Sequence, residues 1–382
     1  MHIGIITPGF SASEADWCIP ALLDFIHHPP QNITFSIITL RYPHHTNPYS
    51  VYGADVIPLG FAKRAGFWRY ALYRKAIQAL KQIHQKKPFD MLHAFWADEA
   101  GFIAVRAGKK LRIPALVSVM GGELVNFPAI DYGHGRSLIG RRMIHHALGH
   151  ATALTGGSGL LIKQIQQKLD VQKSLLWRVP LGVDIGLFRP NGDKQNLAGD
   201  FKILHVASLS LIKNQALLIH AFAKFQQGHK KAHLHLVGDG VQKEALKALV
   251  KALGIKKAVT FHGEIAHHDM PRYYRAADIC ALTSYHESQS LVALEAGACG
   301  IGTVGTAVGI LPELMDAEWL IHPPAPPELG DADGLAQIFA RLADDDIKRV
   351  NLSGNIRSRV MTDYSLIKSA EVWGEIYQQV VG

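Results

Sequence analysis

Residues 279–298 read ICALTSYHESQSLVALEAGA, so that a short apolar stretch, a polar loop and a helical pattern follow one another. We predict a buried strand over 279–282, a loop after it, and a helix that begins near Ser290. Strand, loop and helix repeated in this way along a chain are typical of α/β proteins with parallel sheets. Ligands of such sheets bind at the carboxyl ends of the strands, which is where this polar loop lies.

The same alternation extends over the whole chain in two series and predicts two α/β cores. The first series has predicted strands at 2–7, 33–40, 54–59, 90–93, 115–119 and 151–154, and the second at 203–207, 233–237, 259–261, 279–282 and near Thr303. Residues 190–200 between the series are polar and rich in turn formers, so we place the domain boundary there. The prediction is a first domain over 1–190, a second over 191–365, and a final helical segment over 366–382.

Composition favours a folded protein of the cytoplasm. Apolar residues make up 48% of the chain and charged residues 19%, which is ample for two buried cores. No apolar run approaches the roughly 20 residues that span a bilayer, and the first residues resemble a strand rather than a signal peptide. Cys18, Cys280 and Cys299 are widely spaced, so we predict buried thiols in a reducing compartment and no disulfide framework.

Positive charge is concentrated in the first half of the chain. Residues 1–190 contain 21 Lys and Arg against 11 Asp and Glu, while the remainder has a small net negative charge. A basic half can face phospholipid, a phosphorylated acceptor or nucleic acid, or it can serve solubility alone. Between Phe61 and Lys87, aromatic residues mix with basic ones such as Lys63 and Arg64. This pattern fits a helix on the inner face of an anionic membrane or, slightly better, an ordinary surface helix.

Two carboxylates flank the predicted helix start in the second half. Glu287 lies in the loop and Glu295 lies about a turn and a half inside the helix, whose free amides and dipole suit a phosphate. Because carboxylates repel a diphosphate, we expect them to accept hydrogen bonds from sugar and ribose hydroxyls on either side of it. Lys213 follows the first strand of the second series and can stabilise the charge of a leaving diphosphate without a metal ion. Solvated surface charges are the alternative for all three residues.

Four motifs between residues 179 and 315, taken in order, resemble the group 1 nucleotide-sugar glycosyltransferases of the GT-B fold, the retaining family 4. They are VPLGVD at 179–184 with Phe188 and Pro190, the segment of Lys213 and Asn214, the turn LVGDG at 236–240, and Glu287 with Glu295 followed by Gly300, Val308-Gly309 and 311–314. The resemblance implies two Rossmann-like α/β/α domains that face a central cleft. The first would bind the acceptor, the second would bind the nucleotide sugar, and the final helix would pack back on the first.

The resemblance also implies roles for single residues. Lys213 would contact the diphosphate, Glu287 the transferred sugar, Glu295 the ribose, and the backbone amides of Ser290 and Leu291 the phosphates. Further candidate donor contacts are Ser208, Gly238, Gly263, Ile265 and Gly9. The family commonly has an Arg where this chain has Ser208, and a His where it has Met120. Glu123, shortly after Met120, is a candidate contact for sugar or acceptor.

The implied activity is retaining transfer of a sugar from a nucleotide diphosphate sugar to a hydroxyl of a glycolipid, polysaccharide or small-molecule acceptor. The donor is a substrate, and we expect no cofactor, no metal ion and no nucleic-acid partner. The alternatives are an epimerase or hydrolase on the same fold, and a non-catalytic protein that binds sugar nucleotides. Adjacent histidines such as His267 and His268 point to different faces, so we interpret them as surface residues rather than metal ligands.

Overall fold

The computed structural model describes residues 1–11, 19–62, 67–133, 137–168 and 175–382. Their contacts separate into two compact units. The first comprises Met1–Asn126, Gly133–Gly182 and Leu366–Gly382, and the second comprises Phe127–Tyr132 and Val183–Ser365. The segment at 190–200 thus belongs to the second unit and the C-terminal helix to the first. Cys18, Lys63 and Arg64 lie outside the described residues.

An eight-stranded sheet forms the centre of the first unit, as far as this unit is described. Its strands are β1 His2–Gly9, β2 Thr34–Tyr42, β3 Tyr49–Val51, β4 Ala54–Pro58, β5 Met91–Phe95, β6 Ala115–Val119, β7 Ala153–Gly156 and β8 Leu175–Arg178. The order across the sheet is β3-β4-β2-β1-β5-β6-β7-β8. β3 and β4 pair antiparallel and the other neighbours pair parallel.

The second unit contains a six-stranded parallel sheet. Its strands are β9 Phe201–Val206, β10 Ala232–Val237, β11 Val259–Gly263, β12 Ile279–Leu282, β13 Gly302–Thr306 and β14 Leu320–Ile321. The order is β11-β10-β9-β12-β13-β14, so the chain progresses toward one edge from β9 and toward the other edge from β12. The strand order therefore reverses between β9 and β12.

Helices cover both sheets. In chain order they are α1 Pro20–His27, α2 Phe67–Lys86, α3 Glu99–Leu111, α4 Leu138–His150, α5 Gly159–Lys168, α6 Gln215–Phe225, α7 Lys243–Ala252, α8 Met270–Ala276, α9 Leu291–Ala298, α10 Leu311–Leu314, α11 Ala332–Asp344, α12 Asp346–Asp363 and α13 Leu366–Val381. In the first unit, Trp373 of α13 packs edge-on against Phe25 of α1, with ring centroids 5.6 Å apart. No helix within the described ranges is both long enough and apolar enough to cross a membrane.

The predicted α/β class is confirmed, and each predicted strand overlaps an observed one. The helix predicted to begin near Ser290 begins at Leu291. The prediction missed β3, β8 and β14, which are at most four residues long, because such short pairings leave little periodicity in a sequence. Cys280 and Cys299 are free buried thiols, as expected, and burial raises the pKa of each to about 12.

Candidate active site

The reversal of strand order in the second sheet brings together the loops that follow β9 and β12. Lys213 lies in the loop after β9 and Glu287 lies in the loop after β12. Adjacent strands whose connections run in opposite directions leave a crevice at their carboxyl ends, where open α/β sheets bind ligands. Topology thus joins two residues that are 74 positions apart in the sequence.

Lys213 and Glu287 form an ion pair in this crevice. The ammonium of Lys213 lies 2.5 Å from Oε1 of Glu287, and the side chains are 25% and 14% exposed. The hydroxyl of Ser284 donates to the same carboxylate oxygen at 2.6 Å. Burial raises the pKa of Glu287, but attraction to Lys213 and the hydrogen bonds from Lys213 and Ser284 outweigh burial, so the net pKa is lowered. Glu287 is therefore a carboxylate at neutral pH.

Hydrogen bonds between the two loops hold Lys213 in position. The hydroxyl of Thr283 donates to the carbonyls of Lys213 and Asn214, each at 3.1 Å. The amide of Tyr285 donates to the carbonyl of Ile212 at 2.9 Å. Asn214 adopts a left-handed conformation and its side chain accepts from an amide of α6. The backbone around Lys213 is thus fixed while its ammonium stays partly exposed.

Ser290 stands at the start of α9 with a buried hydroxyl that lacks a partner. The residue is 7% exposed, and its Oγ has no hydrogen-bond partner in the described structure. Its φ of +87° is a left-handed conformation that is uncommon for residues other than glycine. A Cβ on neighbouring Gly309 would lie 2.5 Å from Ser290 Oγ, so only glycine fits there. Together with the amides of Leu291 and Val292 in the first turn, this hydroxyl provides donors for an anion.

Glu295 lies inside α9 and is held by two side chains that the sequence did not identify. The hydroxyl of Tyr274 donates to its Oε2 at 2.6 Å, and Nε2 of His267 lies 3.0 Å from its Oε1. Burial, followed by the nearby Glu295 charge, raises the pKa of Tyr274 well above its usual value. The surface interpretation was wrong for His267, whose side chain is 21% exposed, and right for His268, at 71%. No sequence spacing links Tyr274 or His267 to Glu295.

Gly238 and Gly263 meet at the ends of β10 and β11. The amide of Gly238 donates to the carbonyl of Gly263 at 2.7 Å. Gly238 has a φ of +123°, and a Cβ there would lie 2.0 Å from the carbonyl oxygen of Ala207. The close approach of the backbone of Ala207, after β9, therefore requires glycine at 238, whether or not a ligand contacts it.

Ser208 and Ile265 both lie at the carboxyl end of the second sheet, after β9 and β11 respectively. Ser208 is exposed in the loop after β9, and its hydroxyl lies 3.2 Å from that of Ser210. Ile265 follows β11 and is partly buried against the core of the second unit. Because residue 208 is a serine, and not the arginine that the resemblance led us to expect, it adds no positive charge beside Lys213.

Two of the predicted site residues belong to the first unit. Glu123 is 4% exposed. Its Oε1 accepts from the amides of Ala97 at 3.2 Å and Met120 at 3.0 Å, and its Oε2 accepts from Gly121 at 2.6 Å. Gly9 ends β1 and pairs with Tyr42 of β2 beyond a shift in register. The carboxylate of Glu123 thus organises the loop after β6 through backbone amides.

Within the described ranges, no three His, Cys, Asp or Glu side chains lie together so that they could hold a metal ion. The fixed positive charge of the crevice after β9 and β12 comes from Lys213.

Comparison with known proteins gives the family of the second unit. Residues 189–359 match the family model described as glycosyl transferases group 1. Over this range, which is less than half of the chain, the sequence is similar to group 1 glycosyl transferases. The matched range contains Lys213, Glu287, Ser290 and Glu295.

Curated relatives of the chain include the D-inositol 3-phosphate glycosyltransferase of Corynebacterium jeikeium, 31% identical over 238 residues. That match covers 57% of this chain and 55% of the relative, so the chain spans about half of the relative's length.

Solved structures resemble the whole chain. Sucrose-phosphate synthase from Thermosynechococcus elongatus has a TM-score of 0.81 and 22% identity, over 99% of this chain and 98% of that one. The Anabaena protein HepE in complex with UDP-glucose has a TM-score of 0.74 and 19% identity, over 99% of this chain and 100% of that one. These likenesses show the fold, which is the GT-B fold with two Rossmann-like domains.

Proposed function

We propose that this chain transfers a sugar from a nucleotide diphosphate sugar to a hydroxyl of an acceptor, with retention of anomeric configuration. The observation that carries the proposal is the Lys213–Glu287 pair at the reversal of strand order, where Glu287 lies four residues before the start of α9. A cation, a carboxylate and a helix start are thereby available to one ligand. A diphosphate between sugar and nucleoside suits all three.

The phosphates would bind at the start of α9. The amides of the first turn and the hydroxyl of Ser290 would donate to the phosphate oxygens. Since Ser290 Oγ has no partner within the described structure, a ligand that accepts from it removes the cost of a buried, unsatisfied hydroxyl. Lys213 would supply the positive charge, which is worth most as the bond to the diphosphate breaks and negative charge develops there.

The two glutamates would bind hydroxyls on either side of the diphosphate. Glu287 orients the ammonium of Lys213 through Oε1, and its Oε2 can accept from a hydroxyl of the transferred sugar. Glu295 would accept from the ribose, in place of or beside its bonds to His267 and Tyr274. Because both carboxylates act as acceptors, neither has to serve as nucleophile or general acid.

The reaction breaks the bond between the anomeric carbon and the diphosphate oxygen, and its electron pair goes to the diphosphate. The acceptor oxygen forms the new bond to the anomeric carbon. In this scheme the proton of the acceptor hydroxyl passes to the leaving diphosphate, which is the base closest to the reacting carbon. The first unit would bind the acceptor, and Glu123 would support that unit's loop after β6.

HepE, a protein of the same fold, has been crystallised with UDP and UDP-glucose, so UDP sugars are the first donors to test here. The full chain is incubated with UDP-, GDP- and ADP-sugars, with and without a panel of hydroxyl acceptors, and free nucleoside diphosphate is measured. We expect release that depends on the acceptor, and a product whose anomeric configuration matches the donor.

Other results would point elsewhere. Free sugar released without any acceptor would identify a hydrolase, and donor binding without turnover across the panel would identify a binding protein. We also propose that no metal ion is needed, since Lys213 supplies the cation at the diphosphate. EDTA should then leave the rate unchanged, and a loss of rate that Mg²⁺ or Mn²⁺ restores would contradict this part of the proposal.

A further inference from the structure

Three helices of the first unit carry a strong excess of positive charge. Within α2, α3 and α4 ten residues are Lys or Arg, and the single carboxylate is Glu99. The ten are Arg69, Arg74, Lys75, Lys81, Lys86, Arg106, Lys109, Lys110, Arg141 and Arg142. The carboxylate of Glu99 accepts from Nε of Arg41 at 2.9 Å and from Nε of Arg69 at 3.2 Å. Glu99 is partly buried and shared by two arginines, so of the ten cations it pairs with Arg69 and leaves the charge of the other nine uncompensated.

The three helices form one continuous surface. The ring of Phe102 in α3 lies 5.2 Å from the ring of Tyr73 in α2 and 5.2 Å from that of His146 in α4. Two cavities of about 660 and 670 Å³ flank α3, and Arg106 and Lys110 line both. We call the outward surface of α2, α3 and α4 the basic face.

Large apolar side chains are exposed at one end of the basic face. Leu138 and Ile139 at the start of α4 are 66% and 55% exposed, and Trp68 and Tyr70 at the start of α2 are 47% and 59% exposed. The two helix starts are neighbours, since the hydroxyl of Tyr73 lies 3.0 Å from Sδ of Met143. Exposed apolar groups beside uncompensated cations indicate a partner with both an apolar layer and negative charge.

We propose that the basic face docks on an anionic phospholipid surface. Lys and Arg would lie at the headgroups, each contributing about 1 kcal/mol of attraction, while Trp and Tyr favour the interface. Leu138 and Ile139 would enter the boundary of the acyl chains. Nucleic acid matches the charge but gives no use to exposed leucine and isoleucine, so the membrane is the better partner.

The test is sedimentation of the full chain with vesicles of phosphatidylcholine alone or mixed with equal phosphatidylglycerol. We expect binding to the mixed vesicles at low salt, weaker binding at high salt because of screening, and none to phosphatidylcholine. The double variant Lys109→Gln/Lys110→Gln should bind at least about thirtyfold more weakly, from two cations at about 1 kcal/mol each. The matched control is Lys256→Gln/Lys257→Gln, two adjacent exposed lysines of the second unit, which should bind like wild type.

A second variant tests the apolar part. Leu138→Gln/Ile139→Gln changes only exposed side chains, and it should weaken vesicle binding at least about tenfold while leaving binding to a single-stranded oligonucleotide unchanged. The proposal fails if wild type does not sediment with the mixed vesicles. It also fails if the lysine variant behaves like its control, or if the oligonucleotide binds tightly and the vesicles do not.

Discussion

Glu123 and Glu287 occupy similar places in the two units and have different partners. Each lies in the loop after an inner strand that pairs parallel with both of its neighbours, β6 for Glu123 and β12 for Glu287, and each is largely buried. Three backbone amides bind Glu123, whereas the side chains of Lys213 and Ser284 bind Glu287. If a carboxylate that accepts hydrogen bonds from backbone amides moves away, those amides lose their partner and the loop loses its structure. A carboxylate that is paired with side chains can rearrange together with them around a ligand. Burial and strand-end position alone therefore do not identify a functional carboxylate.

We expect the largest change in activity from a substitution of Glu287, and only a small change from the same substitution of Glu123. Glu287→Gln keeps the bond from Ser284 but removes the charge that orients Lys213, so transfer should fall about 100-fold or more, a typical cost of losing one group that stabilises developing charge. The measurement is kcat/KM for the nucleotide sugar. Glu123→Gln, assayed at a temperature where it is folded, should keep most of the rate, and equal losses in both variants would remove the distinction.

For the free energy of unfolding we expect the opposite order, with a larger loss in Glu123→Gln than in Glu287→Gln. Glu123→Gln replaces a charged acceptor of three amides by one carbonyl, which should lower the free energy of unfolding by about 3 kcal/mol. Urea denaturation measures this, with Glu375→Gln, an exposed residue of the same unit, as the matched control. If Glu287→Gln destabilised the protein as much as Glu123→Gln, both carboxylates would be structural.

A third test concerns another buried polar group of the first unit. His93 lies 2.7 Å from the hydroxyl of Tyr377 in α13 and 2.7 Å from that of Ser118, and burial lowers its pKa to about 3. The unfolded chain therefore binds a proton near pH 6.5 that the folded chain does not bind until about pH 3. The free energy of unfolding therefore keeps its full value above pH 6.5. It falls as the pH drops from 6.5 toward 3, because protonation of His93 then favours the unfolded chain.

Between about pH 6.5 and 5 this loss should be roughly 2 kcal/mol, measured by urea denaturation across the pH range. His93→Gln should remove that part of the slope, while His145→Gln, an exposed residue of the same unit, should leave it as in wild type. A slope that is unchanged in His93→Gln would show that His93 titrates normally in the folded state.

We expect the smallest change, a modest loss of donor affinity, from a substitution of Glu295. Glu295→Gln keeps the size of the side chain and an acceptor for Tyr274, so donor affinity should fall only about tenfold, as expected for one charged hydrogen bond to the ribose. Calorimetry with the donor measures the change, and Glu318→Gln, an exposed residue of the second unit away from the candidate site, serves as the control. Unchanged affinity in Glu295→Gln would leave the carboxylate with His267 and Tyr274 as its only partners and end the proposed ribose contact.

The sequence predicted those features that follow from local patterns. Alternation of apolar runs and helical periods gave the two α/β cores, and the order of motifs gave Lys213, Glu287 and Glu295 as one candidate site. Contacts between distant segments were not predictable, because the bonds of Glu295 to His267 and Tyr274 depend on how α8 packs beside α9. The amides around Glu123 were missed for the same reason, since a carboxylate after Gly121 and Gly122 gives no sign of whether backbone or ligand will use it.

We infer that the second unit binds a nucleotide diphosphate through Lys213 at the start of α9. Titration calorimetry of the full chain with UDP, GDP and ADP tests it directly, comparing wild type with Lys213→Met and with the exposed control Lys256→Met. We expect wild type and the control to bind at least one of these nucleotides equally well, and Lys213→Met to bind it at least about tenfold more weakly. Equal affinity of Lys213→Met and wild type, or no binding of any of the three nucleotides by wild type, would contradict it.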